Sequence, residues 1–204
     1  MYMKSLKILF VLFVGAILIF TLFGCPLFED DYYYDDHYQR PSYQFSEGGV
    51  RYELWDFNDF SSETYYVVRF VDNILTTVNI LSNIDGIPVK KIGIHAFQNC
   101  YLLTSVVIPD SIISIDDNTF TNCVNLISIT IPASVMIIGN NVFNGCEKLA
   151  SVTILNISPP VLGTSTFNNT HPSLLIRVPI GSVDAYKTAP RWSTFSSRIV
   201  PIGG

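Results

Sequence analysis

The chain has 204 residues and is poor in the groups that do chemistry, with three His, four Cys, three Met, two Trp and 14% charged residues. His37, His95 and His171 share no local motif with a nucleophile, and neither G-x-S-x-G, H-E-x-x-H nor a phosphate-cradling glycine loop occurs. The adjacent Asp116 and Asp117 fall in a predicted turn, where neighbouring carboxylates diverge into solvent, so an enzymatic reading finds no residues to carry it. Cys100, Cys123 and Cys146 lack both a fourth partner and C-x-x-C spacing, and no metal or cofactor is expected. From residue 48 on, nine Lys/Arg stand against eleven Asp/Glu, a balance of −2 with no basic stripe. Nucleic acid therefore has no electrostatic footing here. The apolar run at residues 8–23 falls short of the ~20 residues a spanning helix needs.

What the chain does have is a repeat. IPDSIISIDDNTFTNCVNLISIT (residues 108–130) is followed at once by IPASVMIIGNNVFNGCEKLASVT (residues 131–153), and the two align without a gap. Ile108 matches Ile131, Pro109 Pro132, Ile115 Ile138, Phe120 Phe143, Cys123 Cys146 and Leu126 Leu149. Upstream, residues 88–107 place Phe97, Cys100 and Leu103 in the same cadence. Downstream, Leu162-Gly163 and Phe167-Asn168 continue it, with Thr170 for the Cys and Ser173 for the Leu. A period between 20 and 50 residues marks a solenoid, whose units cannot bury an apolar face alone and must stack.

Within each unit a piece of the form L-x-x-[VI]-x-I recurs: Leu103/Val106/Ile108, Leu126/Ile129/Ile131 and Leu149/Val152/Ile154. Alternation makes this a strand with those side chains inward, and a following Pro ends the first two copies. The intervening Ser105, Val107, Ser128, Thr130, Ser151, Thr153 and Arg177 then line one outer face, the candidate binding face. Ser and Thr also pair well across strands for purely structural reasons, so the ladder has two explanations. The three Cys recur once per unit. Equivalent side chains point the same way, which strains a bridge, so they are expected as buried thiols between rungs.

The pattern I-P-x-S-[IV]-x-x-I-x-x-x-x-F-x-x-C-x-x-L resembles the BspA-like, or Treponema-type, leucine-rich repeat of bacterial surface proteins. VPIGSVDAYKTAPRWSTF (residues 178–195) resembles the element that often ends such arrays. The resemblance implies a β-rich solenoid: a short leucine-rich-repeat array of about four rungs with a β-rich N-terminal cap and a short helical/strand C-terminal cap. It also implies a function in binding, through adhesion to host matrix or plasma proteins, contact with other bacteria, or recognition by immune receptors.

The remaining segments fall around the array. Residues 1–24 carry a basic start (Lys4, Lys7) and the apolar run, and Leu22-Phe23-Gly24-Cys25 resembles the lipobox of bacterial lipoproteins, with Cys25 as the lipidated residue. Composition alone establishes export; an uncleaved anchor or a plain signal peptide are the alternatives. Residues 25–47 read as a tether, its Glu29, Asp30, Asp31, Asp35 and Asp36 interleaved with Tyr and without calcium-loop spacing. Residues 48–87 read as a β-rich cap with strands at 50–54, 65–71 and 77–81, turns including Asp85-Gly86, and Trp55 in its core. The array is expected at 88–178.

Residues 179–204 close it. A short helix is expected at 182–188 with Ser182 at its N-cap, and a strand at 199–202. Trp192 and Phe195 plug the last rung, although Trp192 beside Arg191 also suits a carbohydrate or a partner. The expected partners are an extracellular protein and, through Cys25, the membrane, at the outer membrane or cell surface. A structural envelope lipoprotein or a scaffold subunit without extracellular ligand is the alternative function.

Overall fold

The computed structural model describes residues 43–55 and 64–203, all within the compact unit Arg40–Gly204. The signal segment, Cys25, the tether up to residue 42 and the side chain of Trp55 lie outside the described residues.

β1 (Tyr43–Glu47) and β2 (Val50–Trp55) form an antiparallel hairpin with Glu47 opposite Val50. Gly48 and Gly49 close it at φ +58° and +77°. A two-residue turn with both central φ positive follows the strand twist, and glycine takes it without steric cost. This is a correction: residues 43–47, assigned to the tether, form a strand, and the boundary at 47/48 falls inside a hairpin. β2 pairs antiparallel with β3 (Tyr65–Val71).

Next come β4 (Thr77–Asn79), β5 (Asn83–Ile84) and β6 (Ile87–Ile92). β5 and β6 form a second tight hairpin about Asp85-Gly86, at φ 52° and 82°, in the turn the sequence marks. Then β7 (Ser105–Val107), β8 (Ser114–Ile115), β9 (Ser128–Ile131), β10 (Ile137–Ile138), β11 (Ser151–Ile154), β12 (Val161–Leu162) and β13 (Leu175–Val178) alternate between two sides of the coil. On one side β3, β6, β8, β10 and β12 pair in parallel, in that order. On the other, β9, β11 and β13 pair in parallel, while β4 and β7 form a separate parallel pair. The repeats thus stack as coils, the solenoid the sequence predicts.

The stack begins earlier than residue 88. β3 and β4 already pair in parallel with the strands of the next coil. Leu75, Val78 and Ile80 fill the L-x-x-[VI]-x-I places, with Val78 and Ile80 buried. Their signal was obscured because 28 residues, not 23, separate Leu75 from Leu103, the β5–β6 hairpin being inserted between. A second correction concerns the worn copy. Leu174 at 1% exposure, not Ser173, holds the Leu place, one residue late. Its N–H donates to the His171 carbonyl just as Leu149 N–H donates to that of Cys146.

Phe97, Phe120 and Phe143 are all fully buried and form a column with Phe167, with successive ring centroids 4.7, 5.6 and 5.6 Å apart. Each ring's burial is worth roughly 1.5–3 kcal/mol of transfer energy. The backbone around the rings forms a third ladder: Phe97 N–H donates to the Thr119 carbonyl, Phe120 to Val142 and Phe143 to Thr166. Two residues per coil there are left-handed. One column is His95, Asn118, Asn141 and Ser165; the other is Asn99, Asn122, Gly145 and Asn169. Asn and Gly tolerate that region best, which is why these turns are rich in them.

At the C-terminal end, a 3-10 turn (Ile180–Ser182) leads into α1 (Val183–Thr188), and β14 (Ile199–Pro201) pairs in parallel with β13. Ser182 occupies the N-cap position but makes no side-chain cap bond, contrary to the sequence reading. Its φ of −108° and ψ of −5° are helical, whereas a capping side chain needs an extended backbone. Trp192 is 1% exposed, packs 6.2 Å from Phe167 and 5.2 Å from Tyr186, and donates from Nε1 to the Pro160 carbonyl at 2.7 Å. Phe195 meets Phe167 edge-on. Burial of Trp192 rules out its use as an exposed carbohydrate platform.

Candidate ligand-binding face

The face follows from strand alternation. Along β7, β9, β11 and β13, Val106, Ile129, Val152 and Ile176 point inward and are buried, so the residues on either side of each point out. The pairing sets Ser128, Ser151 and Leu175 in one row and Thr130, Thr153 and Arg177 in the next. Ser105 and Val107 lie on the separate β4–β7 sheet, in register with Thr77 and Asn79. The structure therefore brings five of the seven candidate residues onto one hydrogen-bonded sheet and the other two onto its neighbour. Thr77 and Asn79, both exposed, extend the face and were missed with their coil. Ser105, Val107, Ser128 and Thr130 are exposed, with Val107 at 56%, while Ser151, Thr153 and Arg177 are half-buried. The accessible part of the face is centred on β7 and β9.

Where the ladder lapses between β7 and β9, a groove of about 390 Å³ opens. Val106, Ile108 and Ile129 form its floor; Asp110, Pro132 and Leu155 join the candidate residues around it. Sequence could not reveal it, because both strands carry the same pattern.

The groups with potential chemistry are engaged structurally. The thiols of Cys123 and Cys146 each donate 3.1 Å to the carbonyl of a Phe one coil back, Phe97 and Phe120, and Cys100 reaches the Val71 carbonyl at 3.8 Å. Val71 holds the Phe place in the first coil. All three cysteines are free and buried. Burial, with Asp72 nearby, pushes the Cys100 thiol up to about 12, and Cys123 rises through the adjacent Cys146 thiol and then burial. Such thiols stay protonated and are poor nucleophiles. Asp117 accepts from the Asn140 backbone N–H at 2.7 Å and from Asn140 Nδ2 at 3.0 Å, and Asp116 accepts from Ser114. Asn140 Oδ1 in turn accepts from Thr164 N–H, so the predicted turn carboxylate begins a staple running from coil to coil. His171 Nδ1 accepts the Ser173 N–H. Burial lowers the pKa of His95, more than Asp117 and Gln98 raise it. Among the described residues, no group of three or more His, Cys, Asp or Glu is placed to hold a metal.

Parallel coils, a column of rings and one short-stranded outer face define a leucine-rich-repeat solenoid. Residues 68–185 match the BspA type leucine rich repeat region (6 copies), and the chain belongs to that family. Among solved structures, a T. pallidum leucine rich repeat protein is 24% identical with a TM-score of 0.50, the match covering 64% of this chain and 70% of that one. This likeness shows the fold. A leucine-rich repeat protein from Bacteroides ovatus ATCC 8483 is 26% identical, with a TM-score of 0.49, covering 67% of this chain and 38% of that one. A leucine rich cell surface protein from Faecalibacterium prausnitzii A2-165 is 22% identical, with a TM-score of 0.47, covering 69% and 44%. The chain thus spans less than half the length of the latter two. None of the curated proteins compared with the chain matches it.

Proposed function

We propose that this is an exported protein, held at the bacterial surface by a lipid on Cys25, that binds a host or neighbouring-cell protein through its outer strand face. The observation that carries the reading is the exposure of Ser105, Val107, Ser128 and Thr130 on strands whose opposite sides are buried. Small, uncharged side chains in two rows leave the strands open to close approach by a protein partner. The rigidity of the stacked coils lowers the ordering cost of binding. The family supports a binding role over catalysis, and the basic start and apolar run of residues 1–24 support export. In the test, full chain is displayed on cells and incubated with extracellular-matrix and plasma proteins. Saturable capture that is lost when Thr130→Arg and Thr153→Arg are combined supports the reading. Capture unchanged by that pair, or a domain that added protease cannot reach on intact cells, contradicts it.

A further inference from the structure

We propose that the groove between β7 and β9 receives a lysine or arginine side chain of the bound protein; this rests on the strand-face reading and names the chemistry of its contact.

Three observations converge there. First, β7 pairs with β4 and β9 pairs with β11, but β7 and β9 do not pair with each other, so each presents an edge that no described strand takes. The gap is a feature of this junction, since the ladder continues without a break from β9 through β11 and β13 to β14. Second, the opening of about 390 Å³ has room for one long side chain. Third, its charge is one-sided. Asp110 is the one ionisable side chain in the lining, it is exposed, and its carboxylate has no hydrogen-bond or ion-pair partner among the described residues.

The lining selects among occupants. A single carboxylate falls far short of the six to eight oxygens a calcium ion takes. An anion would find no lysine, arginine or histidine in the lining. An inserted backbone strand would need β7 and β9 about 9.6 Å apart, two strand spacings, and opening them to that width would uncover Val106 and Ile129, which are buried beneath. A basic side chain meets none of these objections. Its methylene stem lies along Val107, Pro132 and Leu155, its charged head reaches Asp110, and the Ser128 and Thr130 hydroxyls accept its remaining N–H groups. Because Asp110 is exposed, the ion pair is modest, and its loss weakens binding by roughly two- to five-fold.

The test uses the full chain in detergent, observed by backbone amide NMR, with three probes: N-acetyl-lysine amide, its uncharged analogue N-acetyl-norleucine amide, and N-acetyl-glutamate amide. The lysine compound is expected to shift the amides of residues 105–108, 110 and 128–131 in a saturable way, the other two to leave them in place, and Asp110→Asn to weaken the effect at least two-fold. Equal shifts from norleucine, shifts confined to the acidic segment at residues 29–36, or an Asp110→Asn variant that responds like the parent would each overturn the inference. Failure here leaves the strand-face reading standing if Thr130→Arg with Thr153→Arg still abolishes capture. Loss of that second effect sinks the broader reading separately.

Discussion

Replacing Phe120 by alanine removes the central ring of the column. Phe120 is fully buried, with Phe97 4.7 Å away on one side and Phe143 5.6 Å away on the other, the latter stacked at 6°. Phe-to-Ala changes in cores cost about 3–5 kcal/mol, and the value depends on how far the site collapses. Collapse is restricted here. Hydrogen bonds from Phe97 N–H to Thr119 and from Phe120 N–H to Val142 fix the coil spacing on both sides of the void. The loss should therefore fall in the upper part of the range, about 4–5 kcal/mol, a large share of the ~5–15 kcal/mol of a typical domain. With a urea m-value of about 2 kcal/mol/M, the unfolding midpoint moves down by about 2 M. Ile180→Ala is the control, since Ile180 is 80% exposed, and a surface change of that kind shifts stability by under ~0.5 kcal/mol. Urea titration followed by far-ultraviolet circular dichroism reads both. A Phe120→Ala midpoint within about 0.5 M of the control would refute the stacked column.

Other substitutions probe the turns. A Cβ on Gly163 would press into the Gly139 carbonyl and the Asn140 nitrogen of the preceding coil, both backbone. Gly163→Ala should therefore cost about 1–3 kcal/mol, read as a lower melting temperature; an unchanged melt would mean the coils are not in close contact there. His95 sits at φ +61°, where the next two coils use Asn118 and Asn141, so His95→Asn should stabilise the protein by about 0.5–1 kcal/mol. Burial holds the folded His95 below its ordinary value of 6.5. Below that pH the unfolded chain binds the proton first, and stability falls with acidification until the folded group also titrates. The advantage of His95→Asn should thus grow between pH 8 and pH 5 in paired urea titrations; a constant difference contradicts the assignment.

The two 23-residue copies made the solenoid legible, because Phe120/Phe143 and Cys123/Cys146 keep register only if coils stack. Legibility failed where the period did. Val71 replaces a ring in the first coil, and the β5–β6 hairpin displaces Leu75, Val78 and Ile80 from the expected spacing. In the last coil one added residue moves the core Leu to Leu174. The outer face was readable from alternation alone, since Ser128 and Thr130 flank buried Ile129. Which part of it is open was not, because exposure and the lapse between β7 and β9 depend on how whole coils settle on one another.

Photo-crosslinking on intact cells tests the strand face most directly. Cells display the full chain with a benzophenone side chain replacing either Thr130, on the proposed face, or Ile137, which is 48% exposed on the other sheet. After exposure to matrix and plasma proteins, position 130 should yield a discrete covalent adduct and position 137 none. Adducts of equal yield from both positions, or from position 137 alone, would contradict the account.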